Sequence, residues 1–137
     1  MAPQMIFVNL PVKDLDASKA FYEKIGYSIN PQFTDETAAC VVISDTICAM
    51  LLTEGKFKSF TAPGKEIADA TKATEVLITL SAESREKADE LADAALAAGG
   101  SPAKKPMDMG FMYGRSFADP DGHHWEVFWM DPAAAQG

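Results

Sequence analysis

Basic residues are scarce in this chain: 12 lysines and arginines stand against 20 aspartates and glutamates, a formal net charge of −8 over 137 residues. Nucleic acids and anionic bilayers are held by clustered Lys and Arg, which an acidic surface of this kind does not offer, so neither is an expected partner. Long apolar runs are also missing. None reaches the roughly twenty residues that a spanning helix needs. The opening Met1-Ala2-Pro3-Gln4-Met5-Ile6-Phe7 lacks the basic segment and long apolar stretch of a signal peptide, and a cytoplasmic protein is expected. Cysteine is limited to Cys40 and Cys48, which flank Ser44-Asp45-Thr46 almost symmetrically. If those three residues turn a hairpin, the thiols are near-opposite on adjacent strands. In a reducing compartment they are expected to stay free and pack as small hydrophobes rather than form a disulfide.

What is present is enough apolar material for a core. Hydrophobic residues make up 47 % of the chain and charged residues 23 %, the balance of one compact domain or of two small fused halves. Met5 to Val12 is rich in β-branched and aromatic residues and reads as a strand. Asp14 or Asp16 can then cap a helix to about Ile25, with Ala17, Phe21 and Ile25 on its buried face and Gly26 as its stop. Tyr27 to Thr34 reads as a strand interrupted by Pro31, and Ala38 to Ile43 pairs through the Ser44 turn with Ile47 to Leu52. The second half repeats this order. Glu75 to Leu80 is a short strand, and Ser84 caps a helix carrying Ala88, Leu91, Ala92, Ala95 and Leu96 at helical spacing up to Gly99-Gly100. A weak strand follows near Pro102 to Lys105, and then Arg115 to Ala118 pairs with His124 to Met130. Each half is therefore β-α-β-β-β, a shared plan without shared sequence. The expected fold is α+β: one domain over residues 1–137, with a first module at about 4–54, a linker at about 55–73 and a second module at about 74–131. The two modules form a curved mixed sheet with a central cleft. The linker is expected to be irregular, with a helical turn at Lys65 to Ala70, and to drape over the pocket mouth. The tail from Asp131 has no periodicity and is expected to fray.

The most informative stretch runs from Tyr113 to Pro132. Asp119-Pro120-Asp121-Gly122 has the chemistry of a tight turn. In the strand beyond it, alternation puts His124, Glu126 and Phe128 on one face and His123, Trp125, Val127 and Trp129 on the other. A carboxylate in so apolar a strand costs several kcal/mol to bury unless it is paired or hydrogen-bonded. Glu126 is thus either a functional group or a structural carboxylate bonded to a neighbouring Arg or Tyr. His124, on the same face, is a candidate base or proton carrier. Arg115 is placed to pair with Glu126 or to clamp a ligand carboxylate. Phe111, Tyr113 and the methionines around Gly110 and Gly114 suit a pliable rim, with core packing as the alternative. The acidic helix face Glu83, Glu86, Asp89, Glu90 and Asp93 reads as solvated.

Val12-Lys13-Asp14-Leu15 with Ser18 and Phe21-Tyr22, together with Phe117-Ala118-Asp119-Pro120-Asp121-Gly122-His123 and Trp125-Glu126, resemble the vicinal oxygen chelate superfamily. That group includes glyoxalase I, extradiol dioxygenases and bleomycin-resistance proteins. The likeness covers essentially the whole chain, and the Phe111 to Phe117 segment is similar to that of small proteins described as predicted lactoylglutathione lyases. The resemblance implies paired βαβββ modules, commonly completed in a homodimer, and a small-molecule ligand that is either transformed, as by a lactoylglutathione lyase, or sequestered, as drugs are. It also implies a divalent metal (Ni, Zn, Mn or Fe) held by one side chain from the first and last strand of each module. By position these fall on Phe7, Met50, Glu75 and Glu126. Only Glu75 and Glu126 are plausible ligands, because phenylalanine cannot coordinate and a thioether is too soft for such sites. The metal set is therefore incomplete, unless the register is off by one residue and Asn9 takes part. Phe7, Met50, Phe111, Tyr113, Arg115 and Phe128 are left as ligand-binding candidates and Glu126 and His124 as catalytic ones.

Overall fold

The computed structural model describes residues 3–135, and the chain divides into two compact units, Met1–Ala68 and Asp69–Gly137. The first contains β1 (Ile6–Val12), α1 (Leu15–Lys24), β2 (Ser28–Asn30), β3 (Ala38–Val42), β4 (Ile47–Thr53) and α2 (Glu54–Phe60). The second contains β5 (Ile78–Ser81), α3 (Arg85–Ala97), β6 (Met107–Asp108), β7 (Met112–Ala118), β8 (His124–Met130) and the short α4 (Pro132–Ala135). The sheets have the same topology, β1-β4-β3-β2 and β5-β8-β7-β6, with β1 parallel to β4, β5 parallel to β8 and the other pairs antiparallel. The α+β class and the pair of βαβββ modules follow directly. Among the described residues no helix is long and apolar enough to cross a membrane.

In the first unit, the Asp14 carboxylate accepts from Ala17 N and starts α1, and Gly26, at φ 110°, turns the chain away after it. The buried side of α1 carries Leu15, Ser18, Phe21 and Tyr22, with Ile25 just beyond; Ala17 is exposed, contrary to the expected stripe. This side packs on β3 and β4, where Ala39, Val41 and Leu51 are fully buried. Cys40 and Cys48 are free and buried. They are offset diagonally rather than opposed, since Cys40 faces Met50 and Val42 faces Cys48. Burial first, then the hydrogen bond from its neighbour Cys48, pushes the Cys40 thiol up to about 11.

Four local expectations are corrected. The extended run after Tyr27 is only three residues long, because Pro31 has no N–H for the ladder and Asn30 caps a 3₁₀ turn at Pro31–Phe33. The linker is not irregular at its start: Thr53 Oγ1 accepts from Lys56 N and caps α2, which packs on β1 and β4, while residues 65–69 form no helical turn. The strand expected at 102–105 lies at Met107–Asp108 instead, since Pro102 and Pro106 cannot donate to a ladder. The tail forms a short helix over Pro132–Ala135; Gln136 and Gly137 lie outside the described residues.

In the second unit, Ser84 Oγ accepts from Lys87 N to begin α3, and Gly99, at φ 111°, follows it. Ala88, Ala92 and Ala95 are fully buried, and their small side chains let the helix lie close on β7 and β8. Phe117 and Trp125 stack across the hairpin at 6.4 Å and 5°. The turn is built as its sequence predicts: Gly122 N donates to Asp119 O, and the buried Asp119 carboxylate accepts from Asp121 N and His123 N. Gly122 sits at φ 91°, and a Cβ there would come within 2.9 Å of the backbone at Ala70 and Thr71. No other residue type fits this position.

Candidate functional site

Alternation along β8 sorts the second sheet into two faces. Trp125 and Val127 are buried on the side covered by α3, while His124, Glu126 and Phe128 point to the other. The register then decides what surrounds Glu126. Thr79 of β5 stands on one flank and Ser116 of β7 on the other, and Gly114 faces Phe128. Small side chains at these flanking positions leave a hollow above the strand. It is a cavity of about 250 Å³ lined by Thr79, Lys104, Lys105, Met107, Met112, Gly114, Arg115, Ser116, Glu126 and Phe128. Its shape is consistent with the Gly114 geometry: a Cβ there would meet Phe128 Cβ at 3.8 Å and Met107 Cε at 3.9 Å, which is ordinary contact.

Glu126 is the polar centre of this hollow. His124 Nε2 lies 2.9 Å and the Lys104 ammonium 3.2 Å from the same carboxylate oxygen, Oε2. Burial pushes the Glu126 carboxyl up, but the His124 and Lys104 hydrogen bonds outweigh it and hold the carboxyl below its usual range. The group is therefore ionised at neutral pH, with Oε1 left without a hydrogen bond among the described residues. Lys104 is brought here by Ser116, the direct cross-strand neighbour of Glu126. The Ser116 hydroxyl accepts from Lys104 N at 3.0 Å and donates to Lys104 O at 3.2 Å. Sequence reasoning missed Lys104, Lys105, Thr79 and Ser116. No periodicity marks the proline-flanked 102–106 stretch, and the one available signal was the pair of adjacent lysines in an acidic chain.

Arg115 lines the cavity but does not pair with Glu126, and Tyr113 does not line it. Arg115 stands across from Val127 and Tyr113 from Trp129, so both side chains belong to the α3 face. The Arg115 guanidinium holds Asp89 at 2.7 Å and Asp93 at 2.8 Å, and the Tyr113 hydroxyl donates to Asp89 at 2.6 Å. Asp89 is in turn held below the usual carboxylate range, by Tyr113 first and Arg115 second. Thus Arg115 is partnered by helix carboxylates rather than by Glu126; the acidic face stays largely in water, with Asp89 its half-buried member. A second clamp, also unforeseen, joins the start of α3 to β6 and the loop after it. Arg85 bonds both Asp108 oxygens at 2.9 Å and Gly110 O at 2.8 Å, and lies over the Tyr113 and Trp129 rings at 5.0 and 5.4 Å. Asp108 is lowered to about 2 by that guanidinium.

The other candidates fall elsewhere. Phe111 is exposed and does not line the cavity, whereas Met107 and Met112 do. Phe7 on β1 is exposed beside Cys48, and Met50 on β4 is half-buried beside Asn9; both belong to the first unit. Glu75 is exposed and precedes β5, which begins at Ile78 opposite Trp125. The ladder cannot extend back to residue 75, because the Asp119 to His123 turn removes the partner strand there. Thr79, not Glu75, is the β5 residue beside Glu126. The donor set therefore does not fit the implied divalent metal: Glu126 has one histidine and one cationic lysine at its carboxylate, and the described residues contain no group of three or more His, Cys, Asp or Glu able to hold an ion.

Residues 4–44 match the family model described as bleomycin resistance protein-like N-terminal. No curated protein matches the chain. Among solved structures, the hypothetical protein SA1046 from S. aureus is 30% identical, with 94% of this chain and 95% of that one covered and a TM-score of 0.75. A glyoxalase/bleomycin resistance protein/dioxygenase family enzyme from Burkholderia phytofirmans has a TM-score of 0.78 at 18% identity, covering 93% of this chain and 99% of that one. The fosfomycin resistance protein FosX from Mesorhizobium loti has a TM-score of 0.69 at 14% identity, covering 100% of both chains. The chain belongs to one family with the S. aureus protein, and it shares its fold with proteins named for glyoxalase, bleomycin resistance and dioxygenase.

Proposed function

We propose that the chain binds a small organic molecule in the hollow on the second sheet and that Glu126, ionised and flanked by His124, accepts a hydrogen bond or a proton from it. The observation that carries this reading is the placement of a paired carboxylate at the floor of a mostly apolar cavity, with Phe128, Met107 and Met112 around it. A carboxylate beside a histidine can take a proton and pass it on. The first reaction to test is the isomerisation of the methylglyoxal–glutathione hemithioacetal, the activity of a lactoylglutathione lyase, assayed with the protein as purified. Turnover that disappears in Glu126→Gln while the fold survives supports the catalytic role. Absence of turnover removes that substrate.

One observation favours a second reading, sequestration without chemistry. A carboxylate held below its usual range is a weak base and a good anchor. A sequestering protein is stabilised thermally by its ligand and returns it unchanged. The same proposal includes a homodimer, supported by the exposed Ile6 and Phe7 on the edge strand β1, and a cytoplasmic setting, supported by two unbridged thiols. Sedimentation at micromolar concentration tests the dimer.

A further inference from the structure

The chain's acidity would favour cationic ligands, but the cavity has the opposite balance. Lys104 and Lys105 both line it, against the single carboxylate of Glu126. Lys104 is committed to Glu126 at 3.2 Å. The Lys105 ammonium forms no ion pair among the described residues, and the Thr79 hydroxyl, on the opposite flank, makes no hydrogen bond among them. On the acceptor side, both partners of Glu126 use Oε2, so Oε1 is left open. The unused polar groups of the hollow are thus one cation, one hydroxyl and one carboxylate oxygen, set against the apolar surface of Phe128, Met107 and Met112.

Resting on the binding reading above, we infer that this cavity selects a small organic anion that also carries a hydroxyl, a hydroxycarboxylate with a short apolar body. The anionic end lies on Lys105, the hydroxyl donates to Glu126 Oε1, and the body packs on Phe128. A plain anion leaves Oε1 to water, and a cation meets Lys105, so each lacks one half of the match. The size of the hollow limits the body: 250 Å³ is below the usual 300–1,000 Å³ of drug-sized sites.

The test is titration of the intact protein with 2-hydroxy-4-methylpentanoate, 4-methylpentanoate and 3-methylbutylamine, followed by backbone amide shifts. The hydroxy acid is expected to move the Gly114, Ser116 and Phe128 signals saturably and to bind about tenfold more tightly than the plain acid, the difference that one hydrogen bond to a charged group supports. Lys105→Met should weaken both acids about tenfold or more, and Glu126→Leu, which removes the acceptor oxygen, should erase the preference for the hydroxyl. The amide spectra of the unliganded variants confirm that each folds. Tighter binding of the amine at the same signals would overturn the anion inference while leaving the pocket reading intact. Loss of all three probes from these signals would overturn both.

Discussion

The sharpest consequence of the structure concerns Arg115. Its guanidinium joins β7 to α3 through Asp89 at 2.7 Å and Asp93 at 2.8 Å, with the arginine side chain 16% exposed and the two carboxylates 44% and 67% exposed. Arg115→Met keeps the length of the stem and removes only the fork. The Asp93 pair is mostly in water and is worth a few tenths of a kcal/mol, while the better-buried Asp89 pair, a charge-assisted bond, is worth about 1 kcal/mol or slightly more. The freed carboxylates remain solvated, so no large penalty for a stranded charge is added. The sum is about 1–2 kcal/mol, which for a domain of this size lowers Tm by roughly 3–10 °C. Asp89 adds a pH signature. A carboxyl lowered in the folded state contributes stability above its unfolded pKa and loses it as pH falls through the folded value. That contribution is present at pH 6 and fades below about pH 4. It shrinks in Arg115→Met but persists, because the Tyr113 bond remains. Urea unfolding at pH 7 and pH 3.5, with ligand titration on the same samples, measures both effects. An unchanged unfolding midpoint together with lost ligand binding would refute this account and restore Arg115 to the site.

Gly122→Ala should destabilise by roughly 2 kcal/mol or more, since the left-handed backbone and the 2.9 Å approach to residues 70 and 71 both oppose a Cβ; thermal denaturation reads this directly. Ser18→Ala should be neutral or stabilise by up to about 1 kcal/mol, because the Ser18 hydroxyl is fully buried with no hydrogen-bond partner among the described residues; a clear loss of stability in urea would contradict it. Glu126 carries the same sign as Asp89, so its contribution is complete above the ordinary glutamate range and is lost as pH falls through the lowered folded value. Glu126→Gln should therefore flatten the acid limb of the stability curve without changing the slope above pH 6, as followed by unfolding midpoints.

Much of the fold was legible because its signals are local. The cap at Asp14, the cap at Ser84, the glycines after both helices and the turn from Asp119 to Gly122 are decided within a few residues, and each forms as read. Elements whose existence depends on a partner were misplaced. The strand at β5 starts at Ile78 rather than Glu75 because β8 is available only from His124 onward. The helix α2 forms in a Gly- and Lys-containing stretch because β1 and β4 offer it a surface. For the site, period-two alternation correctly put His124, Glu126 and Phe128 on one face, and the 2.9 Å contact between His124 and Glu126 lies within that local reach.

By itself, then, the amino-acid order determined the two βαβββ modules and the face of β8 that carries Glu126, since backbone periodicity and turn chemistry act over short separations. Which charges meet was settled only by tertiary structure. Arg115 and Glu126 are near each other in the hairpin, yet side chains one position out of phase leave opposite faces of a sheet. The arginine was left to carboxylates 26 and 22 residues away on α3, and Glu126 to a lysine that Ser116 fastens beside it.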